Sequence, residues 1–327
     1  MVRFGIIGTN WITERFINGA KDVADFTLSA VYSRTEDKAK EFAEKNGAKY
    51  TYTDLTEFAS SKEIDAVYIA SPNSLHAEQA IICMEQGKHV IVEKPLASNA
   101  KEVEQMIEIA KQRDVLLMEA LKTTFLPNFI SIKENLHKIG KVRRYFSSYC
   151  QYSSRYDKYK EGTVLNAFNP KFSNGSLMDI GIYCIYPMVA LFGKPEKLHA
   201  NALVLESGVD GQGSILFDYK ELSGSVMYSK ITNSYVPSEI QGENGSIVID
   251  SINDPKHVEI RYKDGTKEDI SKNQHDNLMY YEAKAFIDLI NDGKTESPVN
   301  SFSNSLQTME LIQEARAQFG LVFPADK

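Results

Sequence analysis

Along the first third of the chain, hydrophobic and polar positions switch between two periods. Val2-Arg3-Phe4-Gly5-Ile6-Ile7 is a short apolar run of strand type, and Trp11 to Ala20 then places Ile12, Phe16, Ile17 and Ala20 on one helical face. Phe26 to Tyr32 returns to strand and Lys38 to Lys45 to helix, closed by the stop signal Asn46-Gly47. Ile64 to Ala70, Ala77 to Glu85, His89 to Val92, Lys101 to Lys111 and Val115 to Met118 continue the alternation. Strand and helix in turn, with short connections, predict an α/β Rossmann domain with a doubly wound parallel sheet over residues 1–120.

After Pro127 the pattern changes. Phe129 to His137 reads as helix and Lys141 to Tyr152 as a long strand, followed by a polar stretch over 153–173 without clear periodicity, the mark of a functional or mobile loop. Strand-like runs follow at Leu198 to Leu205, Gly213 to Phe217, Gly224 to Ile231, Tyr235 to Gln241, Ser246 to Asp250 and His257 to Tyr262. Turn signals such as Glu243-Asn244-Gly245 and Lys263-Asp264-Gly265 separate them and predict a large, mostly antiparallel open sheet. Leu278 to Ile290 and Ser305 to Phe319 close the chain as amphipathic helices able to pack back on the first domain. Residues 121–327 are therefore expected to be an α+β domain that binds substrate and dimerises. The uncovered sheet face calls for a homodimer or larger homo-oligomer.

Composition narrows the function. The chain has 327 residues, 43% hydrophobic and 25% charged, which fits two globular domains. A net charge of -7 disfavours nucleic acid and anionic membrane surfaces as partners. No run of eighteen apolar residues offers a membrane span, and strand-like sequence from Val2 leaves no room for a signal peptide. Cys83, Cys150 and Cys184 lack metal-ligand spacing, so no metal is expected, and their odd number fits reduced thiols in a cytoplasm.

Candidate chemistry gathers at the carboxyl ends of the predicted parallel strands, where such sheets bind ligands. The first strand-to-helix turn, Gly5-Ile6-Ile7-Gly8-Thr9-Asn10-Trp11-Ile12-Thr13, has the register of a pyrophosphate-binding turn, although Asn10 and Thr13 replace its later glycines. Gly8, Thr9, Asn10, Trp11 and Ile12 are the candidate contacts, with Asn10 expected to tolerate left-handed angles. At the second strand tip an NAD site wants an acid for the ribose hydroxyls; here Ser33, Arg34, Thr35 and Lys38 stand, suited to the 2′-phosphate of NADP, with NAD the second choice. Ser71, Pro72, Asn73 and His76 leave the next tip, where Asn73 or Ser74 is expected to cap a helix. Glu119, read as exposed, ends the last strand.

Val90-Ile91-Val92-Glu93-Lys94-Pro95 is the run on which the rest turns. Three β-branched residues form a strand buried on both faces, and it ends on Glu93 and Lys94, with Pro95 biasing Lys94 toward extended backbone. In the second half, Asn174-Gly175-Ser176-Leu177-Met178-Asp179-Ile180-Gly181-Ile182-Tyr183 predicts a helix from about Leu177, with Asp179 and Tyr183 four apart on one face.

Glu93-Lys94-Pro95, the Asn-Gly-Ser-Leu-x-Asp-x-Gly-x-Tyr run and Ser71-Pro72-Asn73-Ser74-x-His76 together resemble the Gfo/Idh/MocA oxidoreductases over essentially the whole chain. The resemblance implies that Lys94 is catalytic and that Asp179 and Tyr183 complete the site. Tyr183, where many members carry His, is similar to the branch containing dimeric dihydrodiol dehydrogenase, which implies NADP. That branch often shows Trp and Arg after Glu-Ala, where this chain has Lys122 and Thr124.

The implied reaction is reversible hydride transfer between nicotinamide and a carbinol carbon, with Tyr183 moving the hydroxyl proton. Bringing a tyrosine from about 10 to neutrality takes about 4 kcal/mol. One ammonium at about 4 Å, at an effective dielectric of about 20, supplies that much with the right sign, which is the role read for Lys94. Asp179 opposes the shift and is given an orienting role. The rival readings are a catalytically silent cofactor-binding sensor of the same fold and, less favoured, a methyltransferase. The substrate is read as a sugar, polyol or related polar small molecule, with Lys122, Phe125, Arg155, Tyr159 and Asn166 as candidate contacts.

Overall fold

Six parallel strands, all but the short third one being apolar runs too short to be a helix, build the first sheet of the computed structural model, which describes residues 1–327. They are β1 (Val2–Ile7), β2 (Phe26–Tyr32), β3 (Tyr50–Tyr52), β4 (Ala66–Ile69), β5 (His89–Glu93) and β6 (Leu117–Ala120), in the order β3-β2-β1-β4-β5-β6. Helices α1 (Trp11–Ala20), α2 (Glu36–Asn46), α3 (Leu55–Ser60), α4 (His76–Glu85) and α5 (Ala100–Arg113) cross between them. Every residue of β4 is buried, as are Val90 to Glu93 of β5, which is why both read as unbroken apolar runs. The order reverses between β1 and β4, and this switch point is where a dinucleotide fold opens its crevice. Here the expected doubly wound sheet is observed; β3 and α3 had no separate signal because three and six residues are too few to show a period.

The second sheet has eight strands: β7 (Val142–Cys150), β8 (Lys197–Val204), β9 (Asp210–Asp218), β10 (Ser223–Ser229), β11 (Ser238–Gly242), β12 (Gly245–Ile249), β13 (Val258–Tyr262) and β14 (Lys267–Asp269). Their order is β14-β13-β12-β11-β7-β10-β9-β8, antiparallel throughout except for the parallel pair β7–β10. One face is apolar and buried, through Tyr145, Ile215, Phe217, Val226, Tyr228 and Ile240. The helices of this half are α6 (Pro127–Asn135), α7 (Ser154–Lys160) and α8 (Ile182–Phe192). Two helices follow the sheet, α9 (Met279–Asn291) and α10 (Phe302–Gln318).

The chain divides into two units, Met1–Lys122 with His275–Ser305 and Thr123–Gln274 with Leu306–Lys327. Helix α9 thus belongs with the first sheet, where it packs on α1 and Asn277 Nδ2 donates to the Arg15 carbonyl at 2.8 Å.

Three local expectations change. Residues 153–173 are not one irregular loop: α7 and two short 3-10 turns lie within them, the first of these turns burying Ala167 and Phe168. The helix expected from Leu177 is a π turn over Leu177–Gly181 that passes into α8 at Ile182. Its opening N–H at Leu177 donates to the buried carboxylate of Asp210, 2.6 Å away, a partner no local pattern could announce. By length and apolarity the segment Pro170–Phe192 could span a membrane, but 72% of its apolar window is buried inside the protein, as a core helix requires.

Candidate active site

The turn after β1 is shaped by two residues. Gly8 has φ +105°, and a Cβ there would lie 2.6 Å from the Ala70 carbonyl oxygen, so only glycine fits. Asn10 is extended, φ −123°, and acts as the N-cap of α1, which corrects the expectation of a left-handed asparagine. Its Oδ1 accepts from the N–H groups of Ile12 and Thr13 at 3.0 and 3.3 Å, and its Nδ2 donates to the Ala70 carbonyl at 2.7 Å. The backbone N–H groups of Thr9, Asn10 and Trp11 have no acceptor within the protein. Three free donors at a helix N-terminus suit an anion such as pyrophosphate. Trp11 is 61% exposed beside them.

At the tip of β2, Ser33 is anchored through its N–H to the Tyr52 carbonyl at 3.1 Å. Thr35 is the N-cap of α2 but makes no side-chain capping bond, so its hydroxyl is not committed to the helix. Arg34 and Lys38 are exposed and make no ion pair, whereas Lys40 and Lys45 close by are held by Glu36 and Glu14 at 2.6 Å. Thr9 and Lys38 line a surface cavity of about 200 Å³ together with Glu14, Glu41, Phe42 and Lys45. Uncommitted cations at this tip fit a 2′-phosphate, and no acid of β2 stands in their place.

The β4 tip departs from expectation. Neither Asn73 nor Ser74 caps a helix; Asn73 opens a 3-10 turn, and α4 starts at His76 with no side-chain cap. His76 is instead a buried tie: its Nδ1 lies 2.9 Å from the Pro95 carbonyl and its Nε2 2.9 Å from the Ser71 carbonyl. Burial lowers its pKa, against the pull of those two carbonyls. Ser71 Oγ donates to Gln79 Oε1 at 2.7 Å, while Pro72 stays half-buried.

Lys94 directly follows β5, half-buried, on a turn braced at three points. His76 holds the Pro95 carbonyl, Glu119 Oε1 accepts from the Leu96 N–H at 2.9 Å, and Glu102 Oε2 accepts from the Ser98 N–H at 2.8 Å. Glu119 is 3% exposed, not exposed as expected; Asn300 Nδ2 donates to the carbonyls of Glu119 and Leu121 and pins the strand end. Burial pushes the Glu119 carboxyl up to about 7. Glu93 is 8% exposed and accepts from Tyr68 Oη at 2.6 Å, with Tyr68 stacked on Phe16 at 3.8 Å. Glu282 of α9, fully buried and with neither carboxylate oxygen hydrogen-bonded, also feels the charge of Glu93. Burial and that neighbouring charge hold Glu282 well above the usual carboxylate range. Lys122, 8% exposed, places its charge by both acids, which turns a candidate substrate contact into part of this buried cluster.

In the second unit, the π turn carries Asp179 and the first turn of α8 carries Tyr183, so the sequence-predicted pair is brought onto one continuous helical run. The π turn, a rare element frequent at functional sites, is held at its start by Asp210 and by Gly175, whose φ is +143° and whose hypothetical Cβ would meet Asp210 Oδ1 at 2.2 Å. Asp179 pairs with Lys230, a residue sequence reasoning missed. The Tyr149 ring stands edge-on to Tyr183 at 5.8 Å. Of the other candidate contacts, Arg155 and Asn166 are exposed and Phe125 is 9% exposed. Tyr159 Oη accepts from the Ser207 N–H at 3.0 Å and its ring packs on Phe168, a structural task.

Comparison with known proteins decides the family. Residues 2–121 match the oxidoreductase family with an NAD-binding Rossmann fold, and residues 135–248 match the GFO/IDH/MocA C-terminal domain. The chain belongs to the Gfo/Idh/MocA oxidoreductase family. It is 57% identical over 327 residues to the scyllo-inositol 2-dehydrogenase (NADP(+)) IolU of Bacillus subtilis, covering 100% of each chain. It is 29% identical to the trans-1,2-dihydrobenzene-1,2-diol dehydrogenase of Mus musculus, covering 100% of this chain and 99% of the mouse protein. Among solved structures, an aldose-aldose oxidoreductase from Caulobacter crescentus complexed with glycerol superposes with a TM-score of 0.86 at 20% identity, over 97% of each chain. The family and the dihydrodiol dehydrogenase branch named from the motifs are thus both present among its relatives, and the protein is an oxidoreductase.

Proposed function

We propose that the protein oxidises a ring carbinol of a cyclitol or sugar, or reduces the corresponding ketone, with Tyr183 carrying the hydroxyl proton and Lys94 the cation that favours the phenolate. NADP, when bound, supplies the hydride acceptor. The observation that carries the reading is Lys94 at the tip of β5 on a turn tied by His76, Glu119 and Glu102. The backbone that carries Lys94 is thus fixed at the strand tip, which suits an ammonium that polarises a hydroxyl with little reorganisation. Asp179 has an orienting role. The unpaired Arg34 and Lys38 favour NADP over NAD, and the free N–H groups of Thr9, Asn10 and Trp11 suit its pyrophosphate. Similarity to IolU over the full length makes scyllo-inositol the first substrate to test.

Leu203, Leu216 and Met227, each 46–55% exposed, lie on the uncovered face of β8, β9 and β10 and support pairing of two copies through that sheet. Three unbridged cysteines fit a reducing compartment such as the cytoplasm.

The test is NADP-coupled oxidation of scyllo-inositol beside a panel of sugars, in wild type and Lys94→Met. The variant is expected to lose turnover while binding NADPH within about threefold of wild type, read by energy transfer from Trp11. Wild-type turnover in Lys94→Met would remove the basis of the reading.

A further inference from the structure

Lys230 directly follows β10, and its side chain is 4% exposed. Its backbone is fixed from both sides: the N–H donates to the Gly211 carbonyl at 2.9 Å, and the carbonyl accepts from the Ser153 N–H at 2.8 Å. The ammonium bonds Asp179 Oδ2 and lies over the Phe168 ring, 5.4 Å from its centroid. A buried ammonium is retained where it is paired, and here its carboxylate partner sits four residues before Tyr183. At that spacing on a helical run the two side chains are neighbours. A lone carboxylate beside the phenol opposes ionisation, and a lone ammonium promotes it. An ion pair leaves a third group a field much smaller than either charge alone.

We propose that Lys230 is a positioning residue for the reaction: by pairing with Asp179 it fixes that carboxylate and cancels its field at the Tyr183 phenol. The inference rests on Tyr183 as the proton carrier. The pairing answers the difficulty that Asp179 works against the group it accompanies.

Other titratable groups facing this run are Tyr145 and Tyr149 of β7, Asp210 of β9, Tyr228 of β10, and Cys184 and Tyr186 of α8, with Cys150 of β7 acting on Cys184. Burial holds the phenols of Tyr145 and Tyr228 and the thiols of Cys150 and Cys184 above their ordinary values, so these stay neutral in the working range. Asp210 is the exception, pushed up to about 6 by burial, so the measurement is repeated in an Asp210→Asn background.

The experiment is the pH dependence of kcat for NADP-coupled oxidation of scyllo-inositol, whose acid limb reports the base. Lys230→Met is expected to move the limb alkaline by about one unit, Asp179→Asn to move it acid by about one unit, and the double variant to return it near wild type. Lys230→Arg, which keeps the cation, is expected to retain the wild-type limb. If Lys230→Met alone does not fold, the comparison of Asp179→Asn with the double variant decides, because adding Lys230→Met must then move the limb back up. Limbs that stay in place, or that both single variants move the same way, overturn the proposal; loss of fold alone yields no opposed shifts. Tyr183→Phe separates the two levels. Retained turnover in that variant removes the proton-carrier reading itself, whereas an inactive Tyr183→Phe with unmoved limbs removes only the role of Lys230.

Discussion

Glu119→Gln tests the electrostatics beneath the Lys94 turn. In the folded protein Glu119 titrates at about 7, up from the ordinary 4.5, because burial disfavours the carboxylate more than the Leu96 N–H and the Ser305 side chain favour it. Between those two values the native state holds a proton that the unfolded state releases. This contribution to stability is fully present below about 4.5 and is lost as pH rises through about 7. At about 1.4 kcal/mol per pH unit, the loss approaches about 3 kcal/mol by pH 8. Glutamine keeps an oxygen for the Leu96 N–H and carries no charge at any pH. The variant should therefore match wild type near pH 4 and exceed it by up to about 3 kcal/mol at pH 8, with most of the gain between pH 5 and 7. Urea unfolding followed by fluorescence is the assay, since the chain's single tryptophan, Trp11, lies in the same unit as Glu119. A difference between the two proteins that does not change from pH 5 to 8 would refute the assignment of a raised pKa to this carboxyl.

Other expectations follow from the same residues. Removing the Arg34 or Lys38 charge by alanine should weaken NADP(H) binding about tenfold each and leave NAD(H) nearly unchanged, measured by titration with both cofactors. Gly8→Ala forces a Cβ to 2.6 Å from the Ala70 carbonyl oxygen and should raise the Kd for NADPH at least tenfold with little change in the second unit's fold. Gly175→Ala drives a Cβ onto Asp210 and should cost more than about 2 kcal/mol of stability and lower kcat, checked by thermal melts and turnover. Glu282→Gln, like Glu119→Gln, should stabilise the protein increasingly as pH rises, because its carboxyl is held protonated by burial and by Glu93; equal stability at pH 8 would count against that.

The alternation of periods made the parallel sheet legible, because buried strands and crossover helices differ in both length and apolar spacing. The strand tips, and with them Gly8, Lys94 and Glu119, followed from that register. What stayed hidden shares one cause: the partner lies far along the chain. Lys230 and Asp179 are 51 residues apart, Asp210 and Leu177 are 33 apart, and no local period reports either pair. The π turn was hidden for the same reason, since Asp210 and Gly175 impose it against a sequence that reads as ordinary helix. Glu282 did leave a signal that went unread. Met279, Ala283, Phe286 and Ile287 form the buried stripe of α9, and Glu282 occupies a place on that stripe where an apolar residue is the rule.

That misplaced acid bears on why the first unit carries charge in its interior. Glu93, Glu119, Lys122 and Glu282 are each at most 8% exposed, and all lie around the strand tips that present Lys94 or on α9 behind them. Hydrophobic side chains of similar size would make the unit more stable, since burying an ionisable group costs several kcal/mol before any partner is found. The Lys94 charge bears on Glu93 and Glu119 directly and favours their ionised forms against burial. Burial raises Glu93 and Glu282 alike, while the Lys94 and Lys122 charges oppose that rise at Glu93, so the protons of these acids and the lysine charges are linked. Under the proposed function, a second ionised acid would hold the lysine more strongly but would draw its charge away from the hydroxyl it is proposed to polarise.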